Sequence, residues 1–147
     1  MTILIAVIAA VAGVLNTVQT GANASLNKAL GQPILAALIV AATNALVYLL
    51  AAGAIGFGWP GSARLASVPW WAWLGGALGG TYVLAMIFLA DRLGAAIFTG
   101  ITVTAAIVSS LVLDHYGWLG FAQHTARLGR VVGGLLMIGG LVLISIF

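Results

Sequence analysis

Asn16, Thr20, Asn23 and Asn27 recur at spacings of four, three and four residues near the start of the chain, and Gln19 stands four residues before Asn23. In a helix those spacings align carboxamides and a hydroxyl along one face. A carboxamide donates and accepts hydrogen bonds without ionising. The chemistry on offer is therefore recognition, not proton transfer or nucleophilic attack. The segment that carries the stripe, from about Ile3 to Ala24, is otherwise apolar. Unpaired amides are costly in hydrocarbon, so the stripe must face other helices or water. One reading is interhelical glue, worth about 0.6 kcal/mol per contact, for which two or three amides suffice. The other is the wall of a solute pathway, which a stripe this long and deep favours.

Further along the chain, Thr43, Asn44 and Tyr48, then Thr81 and Tyr82, then Thr99, Thr102, Thr104, Ser109 and Ser110 extend the polar inventory of later apolar runs. Hydroxyls often bond their own helix, which makes them weaker pointers than amides. The expected solute-binding set is Asn16, Gln19, Thr20, Asn23, Asn44, Tyr48, Tyr82 and Thr102. The only acids are Asp91 and Asp114, both at the ends of apolar runs. Asp91 adjoins Arg92 and reads as a capping or charge-balancing residue. Asp114 precedes His115 and is the better candidate for coupling or gating; the alternative is an ion pair with Arg127 or Arg130. With no acid in mid-run, a proton relay across a bilayer centre is not expected.

No enzyme is expected. Asp114 and His115 are adjacent in sequence, which does not make a dyad, and Ser109 and Ser110 lack a partner base. Cysteine is absent and both histidines, His115 and His124, lie in one connector, so neither a metal site nor a cofactor is implied. The net charge of +3 is small and scattered, and its sign reflects scarce acids, not a nucleic-acid surface.

The elements that must hold these residues follow from composition. Of 147 residues, 63% are hydrophobic and 5% charged, and the mean hydropathy is +1.23. Soluble domains carry about 25% charged residues, so the solvent must be lipid. Five runs reach the roughly 20 residues that a spanning helix needs: about 3–24, 34–57, 69–91, 94–114 and 128–147. Runs of this length without period-2 alternation are helices, not barrel strands. The fold class is thus an all-α integral membrane protein, a single five-helix membrane domain over 1–147. Ala22-Asn23-Ala24 resembles a signal-peptide cleavage site, but the first run lacks a basic lead and is too long, so it reads as a retained helix. Trp59, Trp70, Trp71, Trp73, Tyr116 and Trp118 flank the runs at positions suited to an interfacial belt.

An odd number of crossings puts the two ends of the bundle on opposite faces, and five helices alone cannot enclose a solute path. By alternation Arg64, Arg127 and Arg130 share one face, and Lys28 and Arg92 the other. So even a split permits a single orientation set by Arg127 and Arg130, or dual topology with copies inserted both ways. Gly75, Gly76, Gly79 and Gly80, together with Gly129 and Gly133, form small-xxx-small pairs that predict close helix packing, internal or between subunits.

These residues resemble the five-helix YdcZ-like family of the drug/metabolite transporter superfamily. The resemblance rests on Asn16-x-x-Gln19-x-Gly21-x-Asn23-Ala24-x-Leu26, Pro33, the run Pro69–Gly76 with Gly79-Gly80, Leu93-Gly94-Ala95-Ala96, Leu113–Gly117 and Arg130-x-x-Gly133-x-x-Leu136. It implies half of a ten-helix inverted-repeat transporter fold, two copies packing antiparallel around a midplane site with alternating access. It also implies a multi-pass protein of the bacterial inner membrane. Family members commonly carry a Gln two turns before the acid matching Asp114. Here that stretch reads Thr104-Ala105-Ala106-Ile107, with Thr102 or Thr104 as the nearest polar side chains. More distant cousins, the small multidrug resistance exporters, use a first-helix glutamate, and this chain contains none. The expected function is a small-solute transporter subunit acting as an antiparallel homodimer, or as a heterodimer with a paralogue. The alternative is a non-transporting accessory subunit of a membrane complex.

Overall fold

The computed structural model describes residues 2–125 and 127–146. Among them 87% are helical and none is in a strand. Five helices are long and apolar enough to cross a bilayer. They are α1 (Thr2–Leu30), α2 (Pro33–Ile55), α4 (Leu74–Leu93), α5 (Ala95–Tyr116) and α6 (Leu128–Ile146). A short helix, α3 (Ser62–Ala66), and a 3-10 turn, Trp70–Trp73, precede α4; a second 3-10 turn, Trp118–Gly120, follows α5. The last expected residue of the fifth run, Phe147, lies outside the described residues.

Helix α1 continues past the Ala24 boundary read from hydropathy and takes in Ser25, Asn27 and Lys28. The reason is length. Its 29 residues span about 44 Å at roughly 1.5 Å per residue, against about 30 Å of hydrocarbon. The last turns can therefore emerge into the polar interface without unwinding. Lys28 sits in the final turn, where a cation complements the helix dipole. The helix stops at Gly31, whose φ of +62° suits a residue without a Cβ, and Pro33 opens α2 one residue after Gln32.

The chain forms two compact units. Unit 1 covers Met1–Arg92 and unit 2 covers Leu93–Phe147. In unit 1, α1 packs along α2. Its buried residues are Thr20 and Asn23 on α1, Ala36 and Val40 on α2, and Met86, Ile87 and Ala90 on α4. In unit 2, α5 packs on α6. That contact is close at two glycines. A Cβ on Gly134, which is buried, would meet Leu111 Cδ1 at 3.3 Å, and one on Gly100 would meet Leu141 Cδ1 at 2.6 Å.

Leu, Ile and Val side chains cover the outer faces. Ile3, Ile55, Leu128 and Leu136 are each more than 70% exposed. In water such a surface would aggregate; in lipid it is the expected exterior. Trp59 is exposed between α2 and α3, Trp70 and Trp73 are exposed just before α4, and Tyr116 and Trp118 stack with centroids 4.9 Å apart at the end of α5. All of them lie next to the ends of spanning helices.

Candidate functional site

The polar stripe of α1 divides into two parts. Its C-terminal part holds helices together. Asn23 is 6% exposed, and its Nδ2 donates to Met86 Sδ at 3.4 Å. Asn27 Nδ2 donates to the Ile87 carbonyl at 3.3 Å. Both bonds tie α1 to α4. Thr20 is buried and donates to the carbonyl of Asn16, one turn back in its own helix. Thr20 and Asn23, expected to touch solute, are therefore occupied in protein contacts.

The N-terminal part of the stripe is different. Asn16 and Gln19 line a groove in unit 1, of about 780 Å³, formed by α1, α2 and α4. Asn44 and Tyr48 enter it from α2, and Tyr82 from α4. Five of the eight expected solute-binding residues thus converge on one concave surface. The side-chain amides of Asn16, Gln19 and Asn44 make no hydrogen bond among the described residues. Neither is any of these amides sealed from the surface: Asn16, Gln19 and Asn44 are each half-buried. Their donors and acceptors remain available to a ligand.

The eighth residue, Thr102, lies on α5 in unit 2. Its hydroxyl is shared between the carbonyls of Phe98 and Thr99 of the same helix, at 3.0 and 3.1 Å. Thr43, Thr81 and Ser110 likewise bond their own helices.

The α4 glycines make no close contact within the chain, which leaves the intersubunit alternative for their spacing. Nothing lies within 4 Å of a Cβ built on Gly75, Gly76, Gly79 or Gly80. All four line the groove instead, as a smooth wall without side chains. Gly129 and Gly133 are open in the same way; in α6 the close contact falls on Gly134. Small-xxx-small spacing says that a helix can be approached closely, not from which side. Sequence reasoning also missed Met86, which both lines the groove and accepts the bond from Asn23. The only available signal was an unbranched apolar residue a turn after Tyr82, which is common in any helix.

Asp114 lies in the last turn of α5, in a polar corner. Its Oδ2 lies 3.4 Å from Arg130 Nη1, and its carbonyl accepts the backbone N–H of His124 at 2.7 Å. Gln123 Nε2 donates to the carbonyl of His115 at 3.0 Å. The turn that folds this loop back begins at Gly117, with φ of +64°. Of the two roles considered for Asp114, the ion pair is present, with Arg130 as its partner. Asp91 is exposed in the last turn of α4. Among the described residues no group of three or more His, Cys, Asp or Glu side chains could hold a metal.

No curated protein and no solved structure matches the chain. A family profile does, over residues 4–143, and its description reads "Putative inner membrane exporter, YdcZ". The match takes in all five spanning helices and all the groove residues. The coarse function is that of a multi-pass inner-membrane transporter. The chain belongs to the YdcZ family of inner-membrane exporters within the drug/metabolite transporters.

Proposed function

We propose that the chain is one half of a small-solute exporter, that its five helices act as a single membrane domain, and that the unit 1 groove is half of the solute site. A second copy inserted in the opposite orientation supplies the other half, and the pair exposes the site to each side in turn. A paralogue could replace that copy. The observation that carries this reading is the convergence of three unbonded amides, Asn16, Gln19 and Asn44, on one groove. An amide serving only as glue would be bonded, as Asn23 and Asn27 are. The open glycine wall on α4 and the near-even split of basic residues between the two faces are consistent with a flipped partner.

The absence of cysteine allows a direct test. Single cysteines in place of Ser62 and Ser145 are labelled in intact cells with a membrane-impermeant maleimide, with and without prior blocking from outside. Each site should react from both faces. Labelling of each site from one face only would rule out the antiparallel homodimer. In parallel, Gln19→Leu should abolish transport without dissociating the dimer; dissociation would make the stripe structural.

A further inference from the structure

We infer that the solute is electrically neutral and amphiphilic, with a largely apolar body and one amide, carbonyl or hydroxyl group; this rests on the groove being the solute site. Of its 18 lining residues, none is Asp, Glu, Lys, Arg or His. An ion that enters such a groove gives up hydration and meets no counter-charge. The nearest acid on α4, Asp91, lies beyond the last lining residue of that helix, Met86, toward the helix end. If a second copy contributes its own groove to the site, it adds the same uncharged set.

The polar groups that are present fit a neutral ligand. Asn16, Gln19 and Asn44 each offer both a donor and an acceptor, unbonded among the described residues, and together could clamp one carboxamide or hydroxyl. Around them the walls are apolar: Ala, Leu, Ile and Val from α2, and the glycine face of α4. That face admits a flat or broad apolar group close to the backbone. Highly hydroxylated solutes such as sugars would leave most of their polar groups unpaired against these walls. The volume of about 780 Å³ falls within the range of roughly 300–1,000 Å³ typical of drug-sized ligands. The one feature that could attract a cation is the pair of aromatic faces, Tyr48 and Tyr82. A charge series decides between them.

The test uses three isosteric probes: 2-naphthamide (neutral), 2-naphthylmethylammonium (cationic) and 2-naphthoate (anionic). Purified protein in detergent is titrated with each and its melting followed by scanning calorimetry. Naphthamide should raise the Tm saturably, equally at low and high ionic strength, and the charged isosteres should not. Asn44→Leu should weaken naphthamide about tenfold, the loss expected for one good hydrogen bond. Asn44→Gln should largely restore it, and an unchanged probe-free melt would show that the Leu variant folds. A shift from either charged probe that matches naphthamide and depends on Asn44 would overturn neutrality while leaving the groove as the solute site. A series in which no probe gives an Asn44-dependent shift would overturn both.

Discussion

Asn27 is the residue whose replacement should most sharply separate structure from function. Its Nδ2 donates to the Ile87 carbonyl at 3.3 Å, the long end of the range. Its Oδ1 is buried and has no partner. An interhelical hydrogen bond in a membrane contributes about 0.6 kcal/mol on average, whereas a buried unsatisfied acceptor costs about 1–3 kcal/mol. The balance is against Asn. Asn27→Leu, close in volume, should therefore stabilise unit 1 by about 1 kcal/mol, a rise in Tm of roughly 2–4 °C for a chain of this size. Asn23→Leu is the comparison. Asn23 packs against Met86, which is 1% exposed, so a branched side chain there both loses the amide–sulfur bond and crowds a filled contact. That variant should lose about 1–3 kcal/mol. Calorimetry of the two purified variants, side by side, provides the measurement. If Asn27→Leu melts as far below the unmodified protein as Asn23→Leu, the accounting of the orphan oxygen is wrong and Asn27 is a net stabiliser.

Two other perturbations probe the remaining contrasts. Gly134→Leu should destabilise by about 1–3 kcal/mol because Leu111 already closes the space; Gly76→Leu, into open space, should leave the melt nearly unchanged yet fill the groove and remove the naphthamide shift. Asp114→Asn breaks an ion pair whose side chains are 43% and 31% exposed, so stability should change by less than about 1 kcal/mol; transport lost at unchanged Tm would assign Asp114 a part in coupling.

The spanning helices were legible because lipid demands long unbroken apolar runs, and the chain supplies five. The end of α1 was not legible, since Ser25, Asn27 and Lys28 look like a connector until the helix is known to outrun the hydrocarbon. The periodicity of the α1 stripe picked out the face that carries the bonds to α4 and the groove residues of α1. It could not say where α4 crosses that face, and the crossing alone decides that Asn23 and Asn27 meet a neighbour while Asn16 and Gln19 do not. The glycine spacing has the same limit: Gly75, Gly76, Gly79, Gly80, Gly129 and Gly133 face open space within the chain, and the neighbouring Gly134 has Leu111 against it. Three-dimensional neighbours are set by the sum of many weak packing preferences, which no single motif carries.

That crossing also bears on what the unbonded amides are for. Away from the groove most polar side chains follow the rule for hydrocarbon, with Asn27 Oδ1 and Thr99 Oγ1 as buried exceptions. Asn23 and Asn27 reach α4, and Thr17, Thr43, Thr81, Thr102 and Ser145 bond their own helices. Asn16, Gln19 and Asn44 break the rule together, and they do so beside a glycine wall that no side chain fills. Each open amide lowers stability if it meets only lipid, and each glycine in a helix interior costs up to about 1 kcal/mol relative to alanine. Packing alone would have favoured Leu and Ala at these positions. Local rules broken by several residues converging on one surface mark a site where another requirement outweighs stability. Here the features that break them, free donors and acceptors against a smooth apolar wall, are those that the proposed site for a small neutral solute requires.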